Sequence, residues 1–146
     1  MAASSSNLPA GVPTLIAGIL RLPGLGLLAR LLLASPFLGS GVGKLLDFPG
    51  ATAEAASLGL QPAGAVAAAL ILVQLGGSVL FLTRRWCWLG AGLLAGFTVV
   101  ATLIAHPFWQ FTRLDRVRQT ATFLEHLAII GGFAAAAVLV HRRPDR

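Results

Sequence analysis

The sequence predicts an all-α integral membrane protein, folded as a bundle of four transmembrane helices. Of its 146 residues, 56% are hydrophobic and 11% are charged, whereas soluble domains carry about 25% charged residues. Four apolar runs are each roughly 20 residues long, which is the length of a helix that crosses about 30 Å of hydrocarbon. The runs are continuously apolar rather than alternating, and this pattern excludes a transmembrane β-barrel.

The predicted organisation has three parts. Residues 1–23 are predicted to be a flexible N-terminal tail that ends in an interfacial stub at 14–20, because the tail is uncharged and the stub is too short to span. Residues 24–141 form the membrane domain, and residues 142–146 form a basic C-terminal tail. The four spans are predicted at about 24–44, 63–82, 86–106 and 123–141.

Two connections between the spans are longer than turns. Residues 45–62 contain Pro49-Gly50 and are predicted to form a loop with a short amphipathic helix. Residues 107–122 mix aromatic residues with three arginines and are predicted to lie along the membrane interface. Pro36 is predicted to kink the first span. With four spans, both connections lie on one side of the membrane and both termini lie on the other.

The distribution of basic residues predicts the orientation in a bacterial inner membrane. Six basic residues lie on the side of the termini and four on the side of the two connections. Because cytoplasmic segments carry the excess of Lys and Arg, both termini are expected in the cytoplasm. The six are Arg21, Arg84, Arg85, Arg142, Arg143 and Arg146, and the four are Lys44, Arg113, Arg116 and Arg118.

Composition also narrows the classes of function. The net charge of +6 arises from basic residues placed between apolar runs, so the expected partner is the lipid bilayer and not nucleic acid. Cys87 is the single cysteine, which excludes an intrachain disulfide and a redox pair of cysteines. The histidines and glutamates lack the i, i+4 spacing of a strong metal site, and no metal is expected.

Glycines punctuate the spans and predict where the helices approach each other closely. Gly39 and Gly43 are one turn apart in the first span and are predicted to pack against another helix. Further glycines suited to such contacts are Gly41, Gly90, Gly92, Gly96, Gly131 and Gly132.

Polar side chains inside the spans are the candidate site, because lipid makes their exposure costly. The topology brings Lys44, His106 and Glu125 to the same membrane surface, where they are predicted to converge. Thr98 and Thr102 precede His106 at intervals of four residues and form one stripe on a helix. The full candidate set is Arg30, Lys44, Gln74, His106, Glu125 and His126.

Two interpretations of this set remain open at the level of sequence. A histidine and a carboxylate near a lysine are suited to relaying protons or holding a polar headgroup. Alternatively, the basic side chains extend to the headgroups and the remaining polar groups only lock the helices together.

Several motifs in order make the sequence resemble the DoxX family of small bacterial membrane proteins. The resemblance covers about residues 24–140 and rests on RLLLASPFLGSGVGKL from Arg30, GLQP at 59–62, QLGG from Gln74, ATLIAHPFW at 101–109 and LAIIGG at 127–132. The family commonly has Glu in place of Gln74, and Lys-Asn in place of Glu125-His126.

The resemblance implies an accessory subunit of a redox or stress-related, quinone-linked membrane complex. A quinone is then the expected ligand and redox protein subunits are the expected partners, with catalysis by the isolated chain not expected. Two alternatives remain, namely a small-solute transporter or permeability protein and a purely structural membrane partner. A homo-oligomer is compatible with each of them.

Overall fold

In the computed structural model, which describes residues 11–142, the chain forms six α-helices and one short 3₁₀ helix, with no strand in that range. Residues 1–10 of the predicted tail and residues 143–146 of the predicted basic end lie outside the described residues. The α-helices are α1 Thr14–Leu20, α2 Leu25–Leu46, α3 Phe48–Ser57, α4 Ala63–Leu82, α5 Cys87–Ala105 and α6 Arg113–Arg142, and the 3₁₀ helix is Phe108–Gln110.

The prediction of four membrane-spanning helices is confirmed. Helices α2, α4, α5 and α6 are each long and apolar enough to cross a membrane. The predicted bounds of the first three spans agree with the structure to within two residues. The protein is therefore a multi-pass membrane protein in contact with the lipid bilayer.

The fourth span begins earlier than the sequence predicts. Helix α6 starts at Arg113 rather than at 123, so most of the segment predicted to lie along the interface is the first part of α6. The physical reason is that residues 113–122 contain no Pro or Gly to stop a helix. Asp115 in the first turn also complements the positive end of the helix dipole.

The short helix predicted between the first two spans is confirmed as α3. The Asp47 carboxylate caps it by accepting a hydrogen bond of 2.9 Å from the Gly50 N–H, and Pro49 lies in its first turn, where a missing N–H costs nothing. Helix α1 coincides with the predicted stub and has no buried residue.

Helix α2 continues through Pro36 because a neighbouring hydroxyl replaces the hydrogen bond that proline cannot make. Pro36 has no N–H to donate to the Leu32 carbonyl one turn earlier. The Ser35 hydroxyl donates to that carbonyl instead, at 2.8 Å. Membrane helices tolerate proline by such substitutions.

The core of the bundle is a cluster of phenylalanines contributed by all four spans. Helix α4 lies between α2 and α5, and α6 packs mainly against α5. The ring of Phe133 on α6 lies 5.4 Å from that of Phe37 on α2 and 4.9 Å from that of Phe81 on α4. Phe37 also meets Phe97 on α5 edge to face, at 6.0 Å.

The predicted packing of Gly39 and Gly43 against another helix is wrong. A Cβ at either position would meet no atom within 4 Å, whereas a Cβ at Gly41 would lie 2.7 Å from Leu75 on α4. Two residues turn a helix by about 200°. Gly41 therefore points away from the face that Gly39 and Gly43 share, and α4 packs on the side of Gly41.

Candidate functional site

A cavity of about 160 Å³ lies between the four spans, roughly halfway along each of them. A cavity of about 150 Å³ holds a benzene molecule, so this space matches a single six-membered ring. Every spanning helix contributes to its wall. The lining residues are Pro36, Phe37, Gln74, Phe97, Thr98, Ala101, His126 and Ile129.

Gln74 on α4 presents an unpaired polar atom in this region. The side chain is 3% exposed, and its Nε2 donates a hydrogen bond of 3.1 Å to the Ser40 hydroxyl on α2. Its Oε1 is buried and has no hydrogen-bond partner. Because an unpaired buried acceptor costs about 1–3 kcal/mol, packing stability does not account for an amide at this position.

The Thr102 hydroxyl connects α5 to the His126 ring on α6. The Thr102 Oγ1 lies 2.5 Å from the Thr98 carbonyl oxygen, which can only accept. It also lies 2.6 Å from the His126 Nδ1. The hydroxyl has one hydrogen for these two neighbours, so either tautomer of His126, which lines the cavity, fits the contact.

A second histidine extends the polar groups from the cavity toward the end of α5. The ring of His106, which follows the last residue of α5, packs edge to face on that of His126 with centroids 5.3 Å apart. The His106 Nδ1 donates to the Gln119 Oε1 at 2.8 Å. Two members of the predicted polar stripe, Thr102 and His106, thus contact α6.

Arg30, a member of the predicted candidate set, lies at the end of α4 and does not line the cavity. Its guanidinium is buried, at 8% exposed, and its Nη1 donates to the carbonyl oxygens at the end of α4. These carbonyls have no partner within the helix, and a cation there also complements the negative end of the helix dipole. The accepting residues are Phe81 at 3.1 Å, Leu82 at 2.9 Å and Thr83 at 3.3 Å.

The contacts of Lys44 and Glu125 differ from the predicted convergence with His106. The Lys44 ammonium pairs with the Glu54 carboxylate on α3. Glu125 is exposed, with no hydrogen bond or ion pair to any residue in the described range. The reason is that α3 folds back beside the end of α2 and places a nearer carboxylate there.

Comparison with known families identifies the chain. A family model named DoxX matches residues 25–107, which is more than half of the 146 residues. The chain belongs to the DoxX family. Neither the curated proteins nor the solved structures contain a match to it.

In this DoxX chain, the sequence-predicted residues separate into two groups. Gln74 and His126 line the same cavity, with His106 packed behind His126. Arg30, Lys44 and Glu125 do not line it.

Sequence reasoning missed the aromatic wall formed by Phe37 and Phe97 and the Ser40 partner of Gln74. Phenylalanines in a membrane helix carry no signal that separates a cavity wall from a lipid-facing surface. The four-residue spacing of Thr98 and Thr102 did carry a signal, because it marked the helix face that meets His126.

Proposed function

We propose that this DoxX protein is an accessory membrane subunit of a quinone-linked redox complex, and that its cavity holds the quinone headgroup. The observation that carries the proposal is the Gln74 Oε1, a buried acceptor without a partner on a residue that lines a ring-sized space. Natural proteins pair almost all such groups. An unpaired one beside a cavity is explained by a ligand that completes it, and the hydroxyl of the reduced form of a quinone, the quinol, is such a donor.

The walls of the cavity suit a planar ring with polar groups at its edge. Phe37 and Phe97 supply aromatic faces and edges against which a ring can pack. Gln74 and His126 supply the hydrogen-bonding groups that orient it. Pro36 lines the cavity and is exposed on the outer surface of the bundle, which gives an apolar tail a way out to the lipid.

Partner subunits supply the electron-carrying centres in this proposal. When bound, a quinone supplies two-electron, two-proton redox chemistry. The chain has one cysteine, Cys87, and it is buried, so it cannot provide the thiolate set of an iron–sulfur cluster. What the chain contributes is the binding site and a line of polar groups from His126 to Gln119.

The proposed location is the bacterial inner membrane with both termini in the cytoplasm, as the excess of basic residues on the side of the termini predicts. Alkaline phosphatase fused to the C-terminus is expected to be inactive, and a fluorescent protein fused there is expected to be bright. An active phosphatase with a dark fluorescent fusion would reverse the orientation.

The functional test is to purify the protein with its native lipids and identify co-eluting quinones by mass spectrometry. We expect quinone with the wild type and at least tenfold less with Ala101→Phe, because the added ring fills the cavity. Ala69→Phe is the matched control, since Ala69 is exposed on α4, and it should retain the quinone.

Three outcomes would contradict the proposal. Absence of quinone from the wild type is one, and equal retention by Ala101→Phe and Ala69→Phe is another. Solute flux through liposomes that Ala101→Phe blocks, without any bound quinone, would favour the transporter instead.

A further inference from the structure

The cavity offers a specific set of unused hydrogen-bonding groups, and this set discriminates between chemical forms of a ring. The Gln74 Oε1 has no partner, and the Gln74 Nε2 has one hydrogen left after it donates to Ser40. The Oε1 needs a donor. The Thr98 hydroxyl on the same wall does not supply one, because it spends its hydrogen on the Leu94 carbonyl, at 2.7 Å.

A ring that carries a free hydroxyl completes this set, and a ring that carries only a ketone or an ether does not. A hydroxyl donates one hydrogen bond and accepts others, so it can satisfy the Gln74 Oε1. Its oxygen can in turn accept the amide hydrogen that Ser40 leaves unused. A carbonyl or an ether oxygen only accepts, which leaves the buried Oε1 as costly as in the empty cavity.

We propose that the cavity selects the hydroxyl form of its ring, a phenol or quinol, through donation to the Gln74 Oε1. This deepens the proposed function and rests on it, since it assumes that the cavity holds a ring.

The test uses two probes without redox chemistry, 4-ethylphenol and 4-ethylanisole, in which a methyl group replaces the hydroxyl hydrogen. Their affinities for the full-length protein in detergent are measured by calorimetry, with Ala101→Phe as the baseline for non-specific partitioning. We expect the phenol to bind about tenfold more tightly than the anisole, which is the effect of about one hydrogen bond. Duroquinol should bind more tightly than duroquinone by a comparable factor.

Gln74→Met tests the residue itself, because methionine keeps the length of the side chain and removes the acceptor. We expect the ratio between the two probes to fall to about one in this variant, with the anisole affinity nearly unchanged. Ser78→Ala is the matched control, since Ser78 is a buried polar residue one turn along α4 that does not line the cavity. It should keep the wild-type ratio.

Equal wild-type affinities for the phenol and the anisole would overturn the selection while leaving a ring-binding cavity intact. If Gln74→Met still bound the phenol more tightly than the anisole, Gln74 would not be the residue that selects the hydroxyl. Binding of neither probe above the Ala101→Phe baseline would overturn the proposed function as well. The wild-type comparison requires no variant, so the proposal stays falsifiable even if Gln74→Met does not fold.

Discussion

Replacing Arg30 with methionine is expected to lower the free energy of unfolding by about 3 kcal/mol. The substitution keeps an unbranched side chain but removes the donor shared by three carbonyl groups at the end of α4. Hydrogen bonds to a charged group contribute about 1.5–3 kcal/mol each, and unpaired buried acceptors cost about 1–3 kcal/mol. Because the three carbonyls share one nitrogen and some can find water at the helix end, the total stays below the sum.

Arg21→Met provides the matched control for Arg30→Met. Arg21 is exposed after the end of α1, so its loss should change the unfolding free energy by less than about 0.5 kcal/mol. Both variants are measured by titration of the purified protein with a denaturing detergent. Equal stability of the two variants would show that Arg30 only reaches the headgroups and does not cap α4.

Replacing Gly90 with alanine is expected to destabilise the bundle by about 2–3 kcal/mol. A Cβ at this position would lie 2.6 Å from the Gly77 carbonyl oxygen and 2.6 Å from the Phe81 Cα, both on α4. These are backbone atoms, which cannot move aside as a flexible side chain can. Helices α4 and α5 must separate to accept the methyl group, and such overpacking costs about 1–3 kcal/mol.

Gly92→Ala is the control on the same helix, because a Cβ there would meet nothing within 4 Å. Alanine is favoured over glycine inside a helix by about 0.5–1 kcal/mol, so this variant should be as stable as the wild type or slightly more stable. The same detergent titration measures both variants. If Gly90→Ala lost no more stability than Gly92→Ala, the close contact between α4 and α5 would lie elsewhere.

Much of the fold could be predicted because lipid imposes simple rules on length and polarity. The second span was predicted at 63–82, the bounds that α4 has. Helix α6 was harder, because its first turns at 113–122 are polar and apolar length alone does not show where a helix begins outside the hydrocarbon.

Contacts between helices could be predicted less well than the helices themselves. Gly39 and Gly43 have the spacing of a packing seam, and yet the seam runs through Gly41. Spacing identifies a face of a helix, but it does not show which face a neighbour covers. That choice depends on the shape of the partner, here the Leu75 side chain on α4.

Only part of the candidate site could be predicted, because the sequence does not show which helix faces meet. Gln74 and His126 were identified because lipid penalises their exposure, and the structure places both on the cavity wall. Lys44 was predicted to lie near Glu125 but pairs with Glu54. That prediction rested on polar residues in the spans, and Glu54 lies in a connection. The cavity itself has no sequence signal, since it is the space that four helices leave unfilled.

The central claim is that the space between the four spans binds a ring through Gln74. The most direct measurement is an anomalous difference map from crystals of the protein grown with 4-bromophenol, whose bromine marks the position of the ring. We expect a bromine peak inside the cavity, with the phenol oxygen within hydrogen-bonding distance of the Gln74 amide. Bromine peaks found only on the lipid-facing surface, with the cavity empty, would contradict the account.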